Sequence, residues 1–389
     1  MIYIHVPFCR SFCTYCDFYS EVAARCRQAE DERRQADLFS RFAEAAAAEI
    51  KARRDEITDE VNTLYIGGGT PSVLPLSAYE TLLSALKEAG HGGPYEEFTV
   101  EVNPDDIVSE GHAYVERLLE LGVNRISMGV QSFDDRILKF MNRRHDVLTA
   151  RKAYAILEEA GVGNISIDLI FGLPQLSDAG WRDSLKQALD ISAKGSQPHH
   201  ISSYQLSVEP GSALAGMVEK GLWTEASEEL CMRQYDILCS TLREAGYSHY
   251  EISNFALPDF EARHNSAYWR HVPYAGFGPG AHSFRTGHVK GEDVSVRQWN
   301  KPDLKLYLED PAGATEFEVL TDEQVVMEHI MLGLRTSEGL PEDYLREHCT
   351  GSVLDQAVHA GSLVRSSSGM MRIPEDRFFV SDGIIAGLV

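Results

Sequence analysis

The 389-residue chain has no uninterrupted apolar run approaching the roughly 18 residues a membrane helix needs. It is poor in basic charge: 36 Lys plus Arg stand against 59 Asp plus Glu, for a net charge of −23. An acidic excess of that size repels phosphate backbones and anionic lipid, so no nucleic-acid partner is expected. The start, Met1-Ile2-Tyr3-Ile4-His5-Val6, reads as a strand, with neither a basic segment nor an apolar signal run. A cytoplasmic location is therefore expected. G-x-G-x-x-G spacing is also missing, so Gly67-Gly68-Gly69-Thr70-Pro71 is not a dinucleotide fingerprint. Internal repeats and low-complexity tracts are absent.

Cysteine is sparse and unevenly spread. Of the seven, Cys9, Cys13 and Cys16 fall within eight residues, while Cys26, Cys231, Cys239 and Cys349 are scattered. In a cytoplasmic chain such clustering suggests metal or redox chemistry, not disulfides. Cys231 shares a helical face with Tyr235, Leu238 and Leu242 and reads as a small core residue.

Strand-like runs at 2–6, 63–66, 98–102, 125–130, 165–170 and 200–206 alternate with helix-like segments at 38–50, 76–89, 110–121, 147–160 and 180–194. This order predicts an α/β fold with a parallel sheet and helical crossovers. Polar residues at the strand ends suit a barrel whose chemistry lies at its C-terminal mouth. Residues 21–37 carry mixed charge and read as a solvated helix or loop. The pattern changes at Asp310-Pro311-Ala312-Gly313, which predicts a barrel domain over 1–310, extended from about 200, and a small domain over 311–389. In the latter, Thr321 and Gln324 fit a capping box opening a helix with Val326, Ile330 and Leu334 on one face. Pro341 fits the first turn of another helix, and Ser366-Ser367-Ser368-Gly369 fits a hairpin loop, together suggesting a winged-helix-like unit.

The segment His5-Val6-Pro7-Phe8-Cys9-Arg10-Ser11-Phe12-Cys13-Thr14-Tyr15-Cys16 has C-x3-C-x2-C spacing. Three thiolates can hold three irons of a [4Fe-4S] cluster and leave the fourth open. A structural zinc would close with a fourth protein ligand, for which His5 is a candidate and Cys26 a weaker one. The spacing resembles that of the radical SAM superfamily. The resemblance implies a partial (β/α)6 barrel, and a cluster that binds S-adenosylmethionine (SAM) and reductively cleaves it to a 5′-deoxyadenosyl radical.

The resemblance also implies SAM contacts from Gly67, Gly68, Gly69 and Thr70 and, as in the HemN/HemW branch, from Tyr3, Glu101, Gln131, Arg143 and Asp168. Carboxylates suit ribose hydroxyls and the sulfonium end, and Arg143 suits a carboxylate. Asp168 is the most telling, because a carboxylate inside an apolar strand is costly without partners.

Within the branch, Phe18 stands where HemN enzymes, oxygen-independent coproporphyrinogen III dehydrogenases, carry a further cysteine. Tyr250-Glu251-Ile252-Ser253-Asn254-Phe255-Ala256 and His264-Asn265-Ser266-Ala267-Tyr268-Trp269 are similar to segments of HemW heme chaperones. That likeness implies heme binding, with His264 as axial ligand and Tyr268 and Trp269 against the porphyrin, beside a low-profile Gly276, Gly278 and Gly280 loop. A hydrogen-bonded loop histidine and core aromatics are the alternative. His271, His282 and His288 read as solvated or hydrogen-bonded. Acceptor hemoproteins, including membrane-associated respiratory ones, are the implied partners. A homodimer is compatible with the sequence, and enzymatic status stays open.

Overall fold

The computed structural model describes residues 1–22, 29–58, 60–289 and 292–389, without the side chains of 29–32, 288, 289, 292 and 293. Cys26 and the His288 side chain lie outside what is described.

Six strands form the heart of the molecule: β1 (Ile2–Val6), β2 (Thr63–Gly68), β3 (Glu97–Val102), β4 (Arg125–Gln131), β5 (Ile165–Phe171) and β6 (His200–Gln205). They pair in parallel in that order. The crossovers carry α1 (Ala29–Ala52), α2 (Leu76–Glu88), α3 (His112–Glu120), α4 (Val147–Glu159) and α5 (Asp178–Leu189). This is the expected partial barrel. The four-residue period of Leu38, Phe42, Ala46 and Ile50 buries one stripe of α1. Phe42 there meets the ring of Phe8 edge-on at 5.3 Å. Asp146 and Ser177 start α4 and α5 by accepting from the backbone N–H groups of Thr149 and Gly180.

Beyond β6 the chain adds α6 (Glu228–Glu244), β7 (Ser248–Glu251), β8 (Asn254–Ala256), α7 (Arg263–Trp269) and β9 (Ala275–Phe277). The nine-stranded sheet runs β9-β1-β2-β3-β4-β5-β6-β8-β7, with β9 parallel to β1 and β8 antiparallel to β6. Cys231, Tyr235, Leu238 and Leu242 are buried on one face of α6, as their spacing indicates.

The Gly276, Gly278 and Gly280 run is not the expected loop beside a ligand. Gly276 lies in β9, paired with Tyr3. Gly278 has φ +98, and a Cβ there would stand 2.3 Å from the carbonyl oxygen of His5. Glycine is needed because two backbones close the barrel edge at contact distance. Glu49 of α1 fastens that edge. It accepts from Gly278 N–H at 2.9 Å, Asn300 Nδ2 at 2.7 Å and Tyr307 Oη at 2.6 Å, while pairing with Arg53 at 2.5 Å.

A three-stranded sheet, β10 (His282–Val289), β11 (Glu292–Asn300) and β12 (Thr315–Leu320), spans the turn at 310. A division at that turn would cut through the sheet. After it come α8 (Asp322–Gly333), β13 (Leu340–Pro341), α9 (Glu342–His348), α10 (Gly351–His359), β14 (Val364–Arg365) and β15 (Met370–Arg372). The order helix–strand–helix–helix–strand–strand is that of a winged helix. Thr321 and Gln324 form the capping box of α8, and Pro341 is the N-cap of α9.

Candidate functional site

One cavity of about 650 Å³ fills the barrel lumen, a volume suited to a cofactor-sized ligand. Cys9, Cys13 and Cys16 lie at its mouth on the loop after β1. The loop is tied down where Phe8–Cys9 pairs with Glu21–Val22. Cys9 Sγ is 3.5 Å from Thr70 Oγ1, and Cys13 Sγ accepts from Arg143 Nη1 at 3.4 Å.

Burial, reinforced by the neighbouring thiols, pushes the Cys9 thiol up and that of Cys16 up to about 12. Thiols so placed stay protonated unless a metal stabilises the thiolates, which is what a thiolate-ligated iron cluster does. His5 is not placed to complete a zinc site. Its Nε2 bonds the Tyr19 carbonyl at 2.8 Å, its Nδ1 bonds Tyr3 Oη at 3.0 Å, and burial lowers its pKa to about 4.

Alternation along the strands supplies the rest of the wall. In β4, Arg125, Ser127, Gly129 and Gln131 line the lumen, while Ile126, Met128 and Val130 are buried on the other face. Parallel register sets Gly129, Asp168 and Ser202 in one row, continued by Asn254 of β8.

Glu101 accepts from Tyr65 Oη at 2.6 Å and Gly68 N–H at 3.0 Å. Burial pushes its carboxyl up to about 7, and Asp168 nearby adds to the rise. Asp168 accepts from Ser127 Oγ at 3.2 Å, and burial raises its carboxyl to about 6. Arg143 Nη2 donates to Asn103 Oδ1 and to the Gly129 carbonyl, both at 2.6 Å. Its Nε is buried with no partner among the described residues. Gln131 takes φ +68 where the β4–β5 register shifts.

Tyr3, Gly68, Gly69, Thr70, Glu101, Gln131, Arg143 and Asp168 thus all line the cavity. Gly67 does not, but a Cβ on it would stand 2.5 Å from the Tyr65 ring and 2.9 Å from Glu101 Oε1. Its role is to leave room for those two side chains. Tyr65, Asn103, Arg125, Ser127, His200 and Ser202 also line the cavity and escaped the sequence reading. For Arg125, Ser127, His200 and Ser202 the signal was there, in the polar residues spaced two apart in β4 and β6.

The His264 segment forms α7 beneath this lumen. Glu97 seats the helix by accepting from the N–H groups of Arg263 at 2.8 Å and His264 at 3.0 Å. His264 is 2% exposed, and both ring nitrogens are engaged: Nδ1 with Thr63 Oγ1 at 2.8 Å and Nε2 with Tyr268 Oη at 3.1 Å. Burial lowers its pKa to about 3. His264 and Tyr268 line the cavity, but Trp269 does not. Glu251 joins the two segments singled out in sequence, binding Asn254 Nδ2 and, at 3.3 Å, Asn265 Nδ2.

Residues 3–188 match the radical SAM superfamily model. The chain is 34% identical over 342 residues to a heme chaperone HemW of Lactococcus lactis, covering 87% of this chain and 82% of that protein. It is 33% identical over 354 residues to a HemW of Bacillus subtilis, covering 89% of this chain and 86% of that one. Among solved structures, the coproporphyrinogen III oxidase HemN of Escherichia coli superposes with a TM-score of 0.78. It is 20% identical, over 99% of this chain and 89% of that chain, a likeness of fold.

Proposed function

The chain belongs to the HemW family of radical SAM proteins, and from that premise we propose that it is a cytoplasmic heme chaperone that binds heme, a [4Fe-4S] cluster and SAM and passes heme to acceptor hemoproteins. The carrying observation is the convergence, in one lumen, of three clustered thiols, two buried carboxylates and a guanidinium. Cys9, Cys13 and Cys16 would hold three irons and leave the fourth for the amino and carboxylate groups of SAM. A bound cluster would supply the electron for reductive cleavage of SAM. Glu101 and Asp168, acceptors once ionised, suit the ribose hydroxyls and the sulfonium end. Arg143, with its free Nε–H, suits the SAM carboxylate. Gly68 and Gly69 let backbone approach the ligand, and Tyr3, Thr70 and Gln131 complete the wall.

For heme, the favoured place is the mouth. Phe12, Phe18, Tyr204 and Phe317 are the exposed aromatics among the described residues, and the first three rim this cavity. Flat rings around an opening suit a porphyrin face. His264, buried with both nitrogens bonded, fits better as the anchor of the barrel floor. To ligate iron it must first give up Tyr268.

Heme titration tests this reading. Wild type should give a one-to-one Soret band, and Phe18→Ala should weaken affinity roughly two- to tenfold. His264→Ala beside it separates an iron ligand, seen as a changed Soret position, from a floor anchor, seen as lost stability. Robust protoporphyrinogen formation from coproporphyrinogen III by the anaerobic reconstituted protein would replace the chaperone reading with the dehydrogenase one.

A further inference from the structure

Away from the barrel lumen, three side chains from distant parts of the chain meet where the sheet edge touches the C-terminal unit. Cys239 comes from α6, His249 from β7, and Glu375 opens the 3-10 turn Glu375–Val380. Their ligand atoms all lie within 4.8 Å of one another. His249 Nδ1 is 3.9 Å from Cys239 Sγ and 3.2 Å from Glu375 Oε1.

The imidazole is held in one orientation. Its side chain is 3% exposed, stacks on Phe255 at 4.0 Å and 13°, and meets Phe378 edge-on at 5.0 Å. Its far nitrogen, Nε2, faces the Ile252 carbonyl and the Tyr235 hydroxyl, each at 3.4 Å. Tyr235 has one proton, and it goes to the nearer acceptor, the same Ile252 carbonyl at 3.0 Å. Nε2 is therefore left to be the donor, which turns the Nδ1 lone pair of the neutral ring toward a carboxylate oxygen and a sulfur. Lone pairs facing one another need a positive centre between them, either a proton, as in an ion pair, or a metal ion. A backbone carbonyl fixing the tautomer from behind is also the common support of a metal-bound histidine.

We propose that Cys239, His249 and Glu375 form a zinc site that clamps the C-terminal unit to the barrel edge. Sulfur, imidazole nitrogen and carboxylate oxygen together suit zinc among the divalent ions. Usual bond lengths, about 2.3 Å to sulfur and about 2.0–2.2 Å to nitrogen and oxygen, give tetrahedral edges of about 3.4–3.6 Å. The two measured edges lie within a few tenths of an ångström of these. On binding, Cys239 loses its thiol proton to solvent, so thiolate, carboxylate and zinc sum to zero charge. Water completes the shell on the Glu375 side, where that side chain is 33% exposed.

The rival arrangement is an ion pair without metal. Arg243 Nη2 lies 2.8 Å from the same Glu375 oxygen, and a protonated His249 would add to the pair. Asp236, whose charge reaches Cys239, faces the group from α6. An ion pair has no use for the thiol, which is what a zinc site needs.

The test uses the full chain with its iron–sulfur cluster reconstituted, incubated with zinc and desalted. Expected are one retained zinc per chain, unchanged iron, and a zinc X-ray absorption spectrum with one sulfur and otherwise nitrogen and oxygen neighbours. Cys239→Ser and His249→Gln should each lower zinc affinity at least tenfold. A three-sulfur shell would place the zinc on the cluster cysteines and overturn the proposal. So would wild type that retains no zinc, or variants that retain as much as wild type. The sulfur count on wild type decides even if a variant fails to fold.

Discussion

Burying a carboxylate without full pairing raises its pKa, and Glu101 and Asp168 both show this. The sign of the pH dependence follows. A carboxyl raised from 4.5 to about 7 favours the folded state in its protonated form. Its stabilisation is complete below about pH 4.5 and is lost as pH rises through about 7. On the proposed function SAM, a sulfonium with hydroxyl donors, would bind the ionised form. Its affinity should therefore rise between about pH 6 and 8, the ligand-free protein should lose stability between about pH 4.5 and 7, and Glu101→Gln should flatten both trends. Anaerobic calorimetry across that range checks this. Cys13→Ala should lose the broad iron–sulfur absorption together with cluster iron and sulfide; a retained full complement would remove Cys13 from the ligand set. That Cys9, Cys13, Cys16, Glu101, Gln131 and Asp168 line one cavity was legible, because the cysteines are crowded, Glu101 and Gln131 lie at strand ends and Asp168 is a carboxylate inside an apolar strand. Arg143 was reached through the family resemblance alone. Arg125 was not legible. It opens β4, is 3% exposed, and lowers the carboxyl pKa of both Glu101 and Asp168 by charge alone, which requires three strands in register.

At the scale of elements, all six barrel strands were visible as short strand-like runs, with apolar residues alternating with lumen-facing polar ones in β4 and β6. The edge was harder to read. β9 has three residues, one of them glycine, and sequence alone makes it look like a loop. It is a strand because it pairs in parallel with β1, and α1 buttresses it: Arg53 donates to the Gly276 carbonyl and Glu49 accepts from Gly278 N–H just beyond it. Glu49 is fully buried and Arg53 nearly so. Removing one member of a buried pair strands the other, so Glu49→Ala should cost about 3–5 kcal/mol in denaturant unfolding, and Glu49→Gln less. A loss under 1 kcal/mol would mean that the edge closes without this network. α7 was singled out for its histidine, but its seat on Glu97 was invisible, since the two lie far apart in sequence and meet only through the barrel.

For the whole molecule, the excess of acidic residues and the barrel with its added C-terminal unit set the terms of any partnership. No helix among the described residues is long and apolar enough to cross a membrane. A net charge of −23 should keep the protein off RNA even at low ionic strength, where such binding is strongest. Retention on RNA in low salt would reveal a local basic groove that overrides the average. The winged-helix order of the C-terminal unit was legible from its capping box and hairpin loop, but the pairing of β12 with β11 across residue 310 was not. Turn chemistry marks where a chain bends and says nothing about which strand it rejoins.

The cofactor chemistry of the molecule turns on how the three clustered thiols are used. Electron paramagnetic resonance of the reduced, anaerobically reconstituted protein, recorded with and without SAM and paired with iron and zinc analysis, tests that most directly. About four irons per chain, and a cluster signal that changes when SAM is added, are predicted. Zinc held by Cys9, Cys13 and Cys16, or a cluster signal indifferent to SAM, would contradict it.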